Sequence, residues 1–311
     1  MARYDTTQLA NTVIRDAKIP TGSSYRSSNN EKILAIATEE QEATVVPELI
    51  KVSGGHLMAY ADSTLVASTI RYRLPERAIR PERVVVVNSA GKLISRLPLA
   101  SGDMVDEVLA GFMPRGDAIG YWTPENNHAV VALRDSILQS GYSLRIYYRR
   151  QPNALVATSD CWVVTLVTPG SPTYELGPIN AGDASHDTTE GTLYDVLVPH
   201  PAFETRFEDQ LNAATATDQL GIVSEPAIQV GDYIAAAGYT PVPQLPVAFH
   251  AVLAALTTAR VLREMGNTRA ADLAQAAADR KLQSALTTIT PRGDDAETAV
   301  DEVWLENSRG W

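Results

Sequence analysis

Apolar residues recur at three- and four-residue spacing in two long stretches towards the end of the chain, the mark of helices with a buried face. Between Val247 and Met265 the series is Ala248, Val252, Leu256, Ala259 and Leu262. Between Thr268 and Thr290 it is Ala271, Ala274, Ala278, Leu282, Ala285 and Ile289. Pro246 starts the first helix, Gly266 stops it, and Pro291 ends the second. The connection from Met265 to Arg269 is short, so the two helices are expected to pack antiparallel, through a seam of small residues.

The beginning of the chain carries a weaker version of the same pattern. Asp5-Thr6-Thr7-Gln8 reads as a cap ahead of Leu9, Val13 and Ile14, predicting a helix over about 6–17. Ser28-Asn29-Asn30-Glu31 reads as a capping box opening a second helix, with Ile33, Leu34, Ile36, Ala37, Val45 and Val46 on its apolar side. Pro47 should kink that helix and Gly54-Gly55 should close it.

From Leu57 onward the periodicity shortens to strand-like runs of Val, Ile, Thr and Tyr between turn residues. Strands are predicted over 68–74, 83–88, 93–97, 129–133, 143–149, 162–168, 192–198 and 228–235, with a short helix over 103–109. Residues 203–220 fit either a helix or a strand with a polar loop. Strands between terminal helices predict an α+β chain. Residues 1–70 and 241–290 would make a helical platform, 71–240 a large inserted β-rich domain, and 291–311 an extended C-terminal tail.

Composition narrows the function. At 311 residues the chain can bury a sizeable core, and the single cysteine, Cys161, leaves no internal disulfide and no multi-cysteine metal cluster. Cys161 stands in a strand-like apolar run and reads as a small buried hydrophobe. Nowhere do roughly 18 apolar residues run together, so no membrane span is expected, and the start lacks the apolar core of a secretion signal. The expectation is a chain made in the cytoplasm. A formal charge of -11 argues against a protein that grips nucleic acid, whose affinity rests on Lys and Arg, but suits a surface past which DNA slides.

Phosphate-binding, zinc-protease and serine-hydrolase motifs are absent. His186-Asp187-Thr188-Thr189-Glu190 offers cation ligands but reads better as a polar loop, and Asp103, Asp106 and Glu107 suit a helix start. His56, His128, His200 and His250 are scattered singly. Arg71, Arg73, Arg77, Arg80 and Arg83 invite a phosphate-binding reading, yet Glu76 and Glu82 lie among them, and ion pairing is the simpler role. No catalytic residue, cofactor or metal is expected. The last twenty residues are strongly acidic but carry Val303, Trp304, Leu305 and Trp311, which suit a segment that orders against a partner.

Several segments resemble the head-tail connector (adaptor) proteins of tailed bacteriophages. They are V-G-D-Y-I at 230–234, T-P-V-P-Q-L-P at 240–246, R-V-L-R-E-M-G at 260–266 and T-P-R-G at 290–293. In the β region they are I-R-Y-R-L-P at 70–75, Y-W-T-P-E-N-N at 121–127 and L-R-I-Y-Y-R-R-Q-P at 144–152. The resemblance implies a non-enzymatic virion protein of the phage neck, assembled in the host cytoplasm. It would form a ring, usually of twelve copies, beneath the portal protein and above tail or neck proteins, with DNA passing through without sequence-specific binding. Its tail would dock into the portal. A tail or receptor-binding protein with a β-rich ligand domain, and an enzyme of unrecognised type, are the alternatives.

Overall fold

The computed structural model describes residues 5–27, 29–53, 55–66, 69–101, 104–111, 119–134, 137, 141–168, 173–180, 188–198, 205–214, 216, 218–221 and 228–289. The chain mixes helix and strand in nearly equal parts. Contacts divide it into two compact units: Leu57–Pro152, and Met1–His56 together with Asn153–Trp311. The sequence texture set boundaries at 70/71 and 240/241. They fall instead at 56/57 and 152/153, because the strand-rich stretch feeds two different units.

The discontinuous unit holds α1 (Thr6–Asp16), α2 (Glu31–Glu40), α3 (Val46–Val52), α5 (Val247–Glu264) and α6 (Thr268–Ile289). Asp5 caps α1 as expected, its carboxylate accepting from the Gln8 N–H at 2.7 Å. The cap of α2 differs: Asn30 is left-handed (φ 52°) with no side-chain cap bond, and the Ser27 hydroxyl accepts from the Glu31 N–H instead. Pro47 produces a π-helical turn at Gln41–Val45, where the Val46 N–H reaches back to the Gln41 carbonyl, and the proline then sits in the first turn of α3.

The α5–α6 hairpin follows its sequence signals. Gly266 takes φ 80°, its N–H bonds the Arg263 carbonyl, and the Asn267 N–H bonds the Leu262 carbonyl, which closes α5 with a Schellman turn. Helix α1, α2 and α6 all pack on α5. That helix is therefore buried on nearly every side, from Phe249 and Val252 to Val261 and Leu262, rather than along the single face its periodicity suggested.

The same unit carries β8 (Ala154–Leu155), β9 (Trp162–Val167), β10 (Thr173–Pro178), β11 (Leu193–Leu197), β12 (Thr205–Leu211), β13 (Gln219–Gly221), β14 (Tyr233–Ala236) and β15 (Tyr239–Thr240). Six of them form an antiparallel sheet in the order β12-β11-β14-β9-β10-β13, and β15 pairs with β8 in parallel. Within the ambiguous stretch over 203–220, Thr205–Leu211 is strand β12 and β13 begins at Gln219. One face of the large sheet buries Trp162, Val164, Tyr174, Tyr194, Val196 and Ile234, and the other buries Cys161, Leu197 and Ala235.

The contiguous unit is a small sandwich. Strands β1 (Met58–Thr64), β7 (Ser143–Arg150), β3 (Ala78–Val87) and β4 (Leu93–Leu97) make one antiparallel sheet in that spatial order. The strands β2 (Arg71–Arg73), β6 (His128–Leu133) and β5 (Gly120–Glu125) make the other. Val84, Val86, Leu144, Ile146 and Tyr148 from the first sheet meet Tyr72, Trp122, Val131 and Leu133 from the second. A short helix, α4 (Val105–Leu109), packs Val108 against Val130 and Ala132 on the far side of the three-stranded sheet. Strands β1, β5, β8, β10 and β15 were not anticipated; β5 contains Pro124, a residue that weakens a strand signal.

Candidate functional site

The residue types that could carry chemistry are placed apart. His250 is fully buried on α5, its Nε2 3.0 Å from the Leu245 carbonyl, and Cys161 is buried in a small apolar cluster. Asp106 and Glu107 occupy the first turn of α4, where carboxylates favour the helix dipole. The Thr188 hydroxyl donates to the Gln219 carbonyl at 2.8 Å. Among the described residues no group of three or more His, Cys, Asp or Glu side chains could hold a metal. Asp103, His186, Asp187 and His200 lie outside the described residues, as do Val303, Trp304, Leu305 and Trp311.

The five arginines of the β region find partners within their own unit where the contacts are resolved. Arg71 pairs with Glu125 at 2.8 Å, Arg73 with Glu76 at 3.6 Å, and Arg80 with Glu82 at 2.9 Å. Arg71 donates to Glu125 and holds its carboxyl below the usual range. Ion pairing is thus the role of Arg71, Arg73 and Arg80, while the Arg83 guanidinium lies over the Tyr147 ring.

Around the helices, charge ties α2 to α5. Arg260 contacts Glu39 and, at 3.4 Å, Glu40, while the Tyr25 hydroxyl donates to Glu264 at 2.8 Å. Nearby, burial and then the Glu39 charge push the Glu42 carboxyl above the usual range, so its ionised form is the costly one. Glu42→Gln is expected to stabilise the fold by about 0.2–0.5 kcal/mol at pH 7 in urea unfolding. The advantage should fade as pH falls through the raised pKa and wild-type Glu42 protonates. A cleft of about 370 Å³ beside α2 is lined by Leu34, Ala35, Thr38, Leu155, Val156 and Tyr239; no histidine or cysteine lines it.

A buried polar hub, unmarked in the sequence, pins the chain where it returns from the small sandwich. The Asn153 N–H donates to Gln244 Oε1 at 2.7 Å, and its side-chain amide donates to Asp195 Oδ2 at 2.8 Å and the Tyr239 carbonyl at 2.9 Å. Gln41, in the π-turn, donates to the Asn153 carbonyl at 3.3 Å. Asp195, 0 % exposed, also accepts from the N–H groups of Gly238 and Asp209, each at 3.0 Å. A bulge in β12 aims the second of these, with Asp209 itself at φ 53°. The hub links the π-turn after α2, the residue before β8, strand β11 and the lead-in to α5, and of its side chains Gln41 keeps one buried oxygen without a hydrogen-bond partner.

The most chemically distinctive surface is the outward face of the β1-β7-β3-β4 sheet. Register places its side chains in transverse rows: Tyr60, Tyr147 and Arg83; then Asp62, Arg145, Val85 and Arg96; with Arg149 beside Arg80. The Arg83 guanidinium lies 4.0 Å from the Tyr147 ring centre and the Arg145 guanidinium 4.3 Å from that of Tyr60, and the two rings are 5.9 Å apart. Arg145 donates twice to Asp62, both at 2.8 Å, which raises its affinity for its proton. Burial and, to a smaller degree, the neighbouring Arg96 charge lower that of Arg83. The alternation Arg145, Tyr147, Arg149 has the two-residue period of one strand face, a signal in the sequence that could have marked this surface and was not used. No protein-family model matches the chain, and no curated protein matches it.

Proposed function

We propose that the chain is a structural subunit of the bacteriophage head-tail connector, a ring joining the portal to the tail through which DNA passes. The observation that carries this reading is the antiparallel α5–α6 hairpin with α1 and α2 packed on α5. It is built from the segments 240–246 and 260–266 in which the connector resemblance is most continuous. In this reading those helices are the platform that forms the ring, and the β-rich part, narrowed to residues 57–152, is the insertion. The protein is not an enzyme and holds no cofactor. Its partners are the portal, the neck or tail proteins below, and further copies of itself, with twelve expected in the virion.

Val303, Trp304, Leu305 and Trp311 are the proposed portal anchors. Each buried tryptophan anchor contributes at least ~2 kcal/mol, about thirtyfold in affinity. The test images the purified chain alone and mixed with its portal, with light scattering for mass. A ring seated on the portal is expected; its absence at saturating concentrations overturns the reading. Truncation after Arg292 should leave the melting temperature unchanged and weaken portal binding at least thirtyfold. A truncated chain that binds as before removes the anchor role.

A further inference from the structure

The charge of the chain is unevenly divided. Residues 57–152 carry 12 Lys and Arg against 9 Asp and Glu, a net of +3. Subtracting these from the totals of 26 and 37 leaves 14 basic and 28 acidic residues in the other unit, a net of -14. The basic excess of the small unit is matched on one sheet face, where Arg80, Arg83, Arg96, Arg145 and Arg149 stand against Asp62 and Glu82.

We propose that this outward face of the β1-β7-β3-β4 sheet is the surface by which one copy of the chain holds the acidic unit of a second copy. The inference rests on the ring reading and deepens it by naming the surface that meets the next subunit. A basic face on one copy and an acidic one on its neighbour make a heterologous contact, the type that repeats around a ring.

Three observations favour a carboxylate-bearing protein over nucleic acid. Each stacked guanidinium already occupies one face of the tyrosine ring on which a base would stack. Asp62 and Glu82 stand within the face, where they would repel phosphates and where they display the arginine–carboxylate pairing that the surface favours. The guanidiniums laid on Tyr60 and Tyr147 are preorganised, and Tyr and Arg are the residue types that anchor protein interfaces. Tyr60 is 55 % exposed, and Arg96 is exposed with no ion-pair partner among the described residues. Arg96 and Arg83 bring like charges together, a repulsion that an incoming carboxylate relieves.

Lys92, in the β3–β4 turn beside this face, is the only lysine between residues 57 and 152, so links made at Lys92 report on that unit. Isotopically heavy and light full-length chains are mixed at low salt and treated with a zero-length carboxyl-to-amine coupling reagent. Heavy–light peptides joining Lys92 to Asp or Glu within 1–56 or 153–311 are expected. They should be lost at high salt and reduced about tenfold in Arg96→Glu, and less in Arg96→Gln. Thermal melting confirms that each variant is folded.

An absence of such heavy–light links, or links only to carboxylates of 57–152, overturns the proposal. So does binding of a single-stranded oligonucleotide that Arg96→Glu abolishes, which would make the face a nucleic-acid contact. If Arg96→Glu forms rings on the portal as well as the parent does, this contact fails and the connector reading stands. If the links appear but no ring forms on the portal, the contact stands and the connector reading fails.

Discussion

Asp195→Ala is expected to destabilise the protein by about 2–4 kcal/mol in urea or thermal unfolding. The estimate follows from the donors left behind. The Asn153 amide keeps the Tyr239 carbonyl, but the N–H groups of Gly238 and Asp209 lose their acceptor. A donor left without a partner costs roughly 1–3 kcal/mol when buried, and these two are part-buried, so each sits toward the lower end of that range. Asp195→Asn keeps one acceptor oxygen and should fall between alanine and wild type. An alanine variant within about 1 kcal/mol of the parent would show that the hub contributes little, because water reaches the freed groups.

The second large effect is expected at Phe249, 0 % exposed near the start of α5. Phe249→Ala should cost about 3–5 kcal/mol, because a helix packed by α1, α2 and α6 has no free side toward which neighbours can collapse. Leu273→Ala, on the 68 % exposed side of α6, is the matched control and should shift stability by less than about 0.5 kcal/mol. Equal melting shifts for the two variants would contradict the central position of α5.

The hairpin was legible in the sequence because its periodicity and its caps agree: Gly266 and Asn267 do locally what their residue types favour. The all-round burial of α5 was not. Thr257 and Thr258 look like a polar side, yet their hydroxyls donate to the carbonyls of Leu253 and Ala254 at 2.8 and 2.7 Å and so enter the core satisfied. Strand alternation records that one side is covered, not by what. The runs at 143–149 and 162–168 therefore looked alike, although they belong to different units. The hub was hidden for another reason. Gln41, Asn153, Asp195 and Gln244 are far apart in sequence and of types that usually face water, so only tertiary placement joins them. Of the arginines singled out at first, Arg80 and Arg83 belong to the basic sheet face. Its remaining members, Arg96, Arg145 and Arg149, lie on strands that come together only in the folded sheet.

The division of the helical unit between the two ends of the chain also sets an order of events during synthesis. Residues 6–52 supply α1, α2 and α3, but α5, on which α1 and α2 pack, begins only at Val247. The intervening 190 residues, 57 through 246, take about 10–40 s to translate at roughly 5–20 residues per second. Throughout that interval the apolar stripes of α1 and α2, including Leu9, Val13, Ile33 and Leu34, have no helix to cover them. The contiguous sandwich at 57–152 is complete long before, so it is expected to fold first, while the N-terminal helices wait for residues 247–311, the last fifth of the chain.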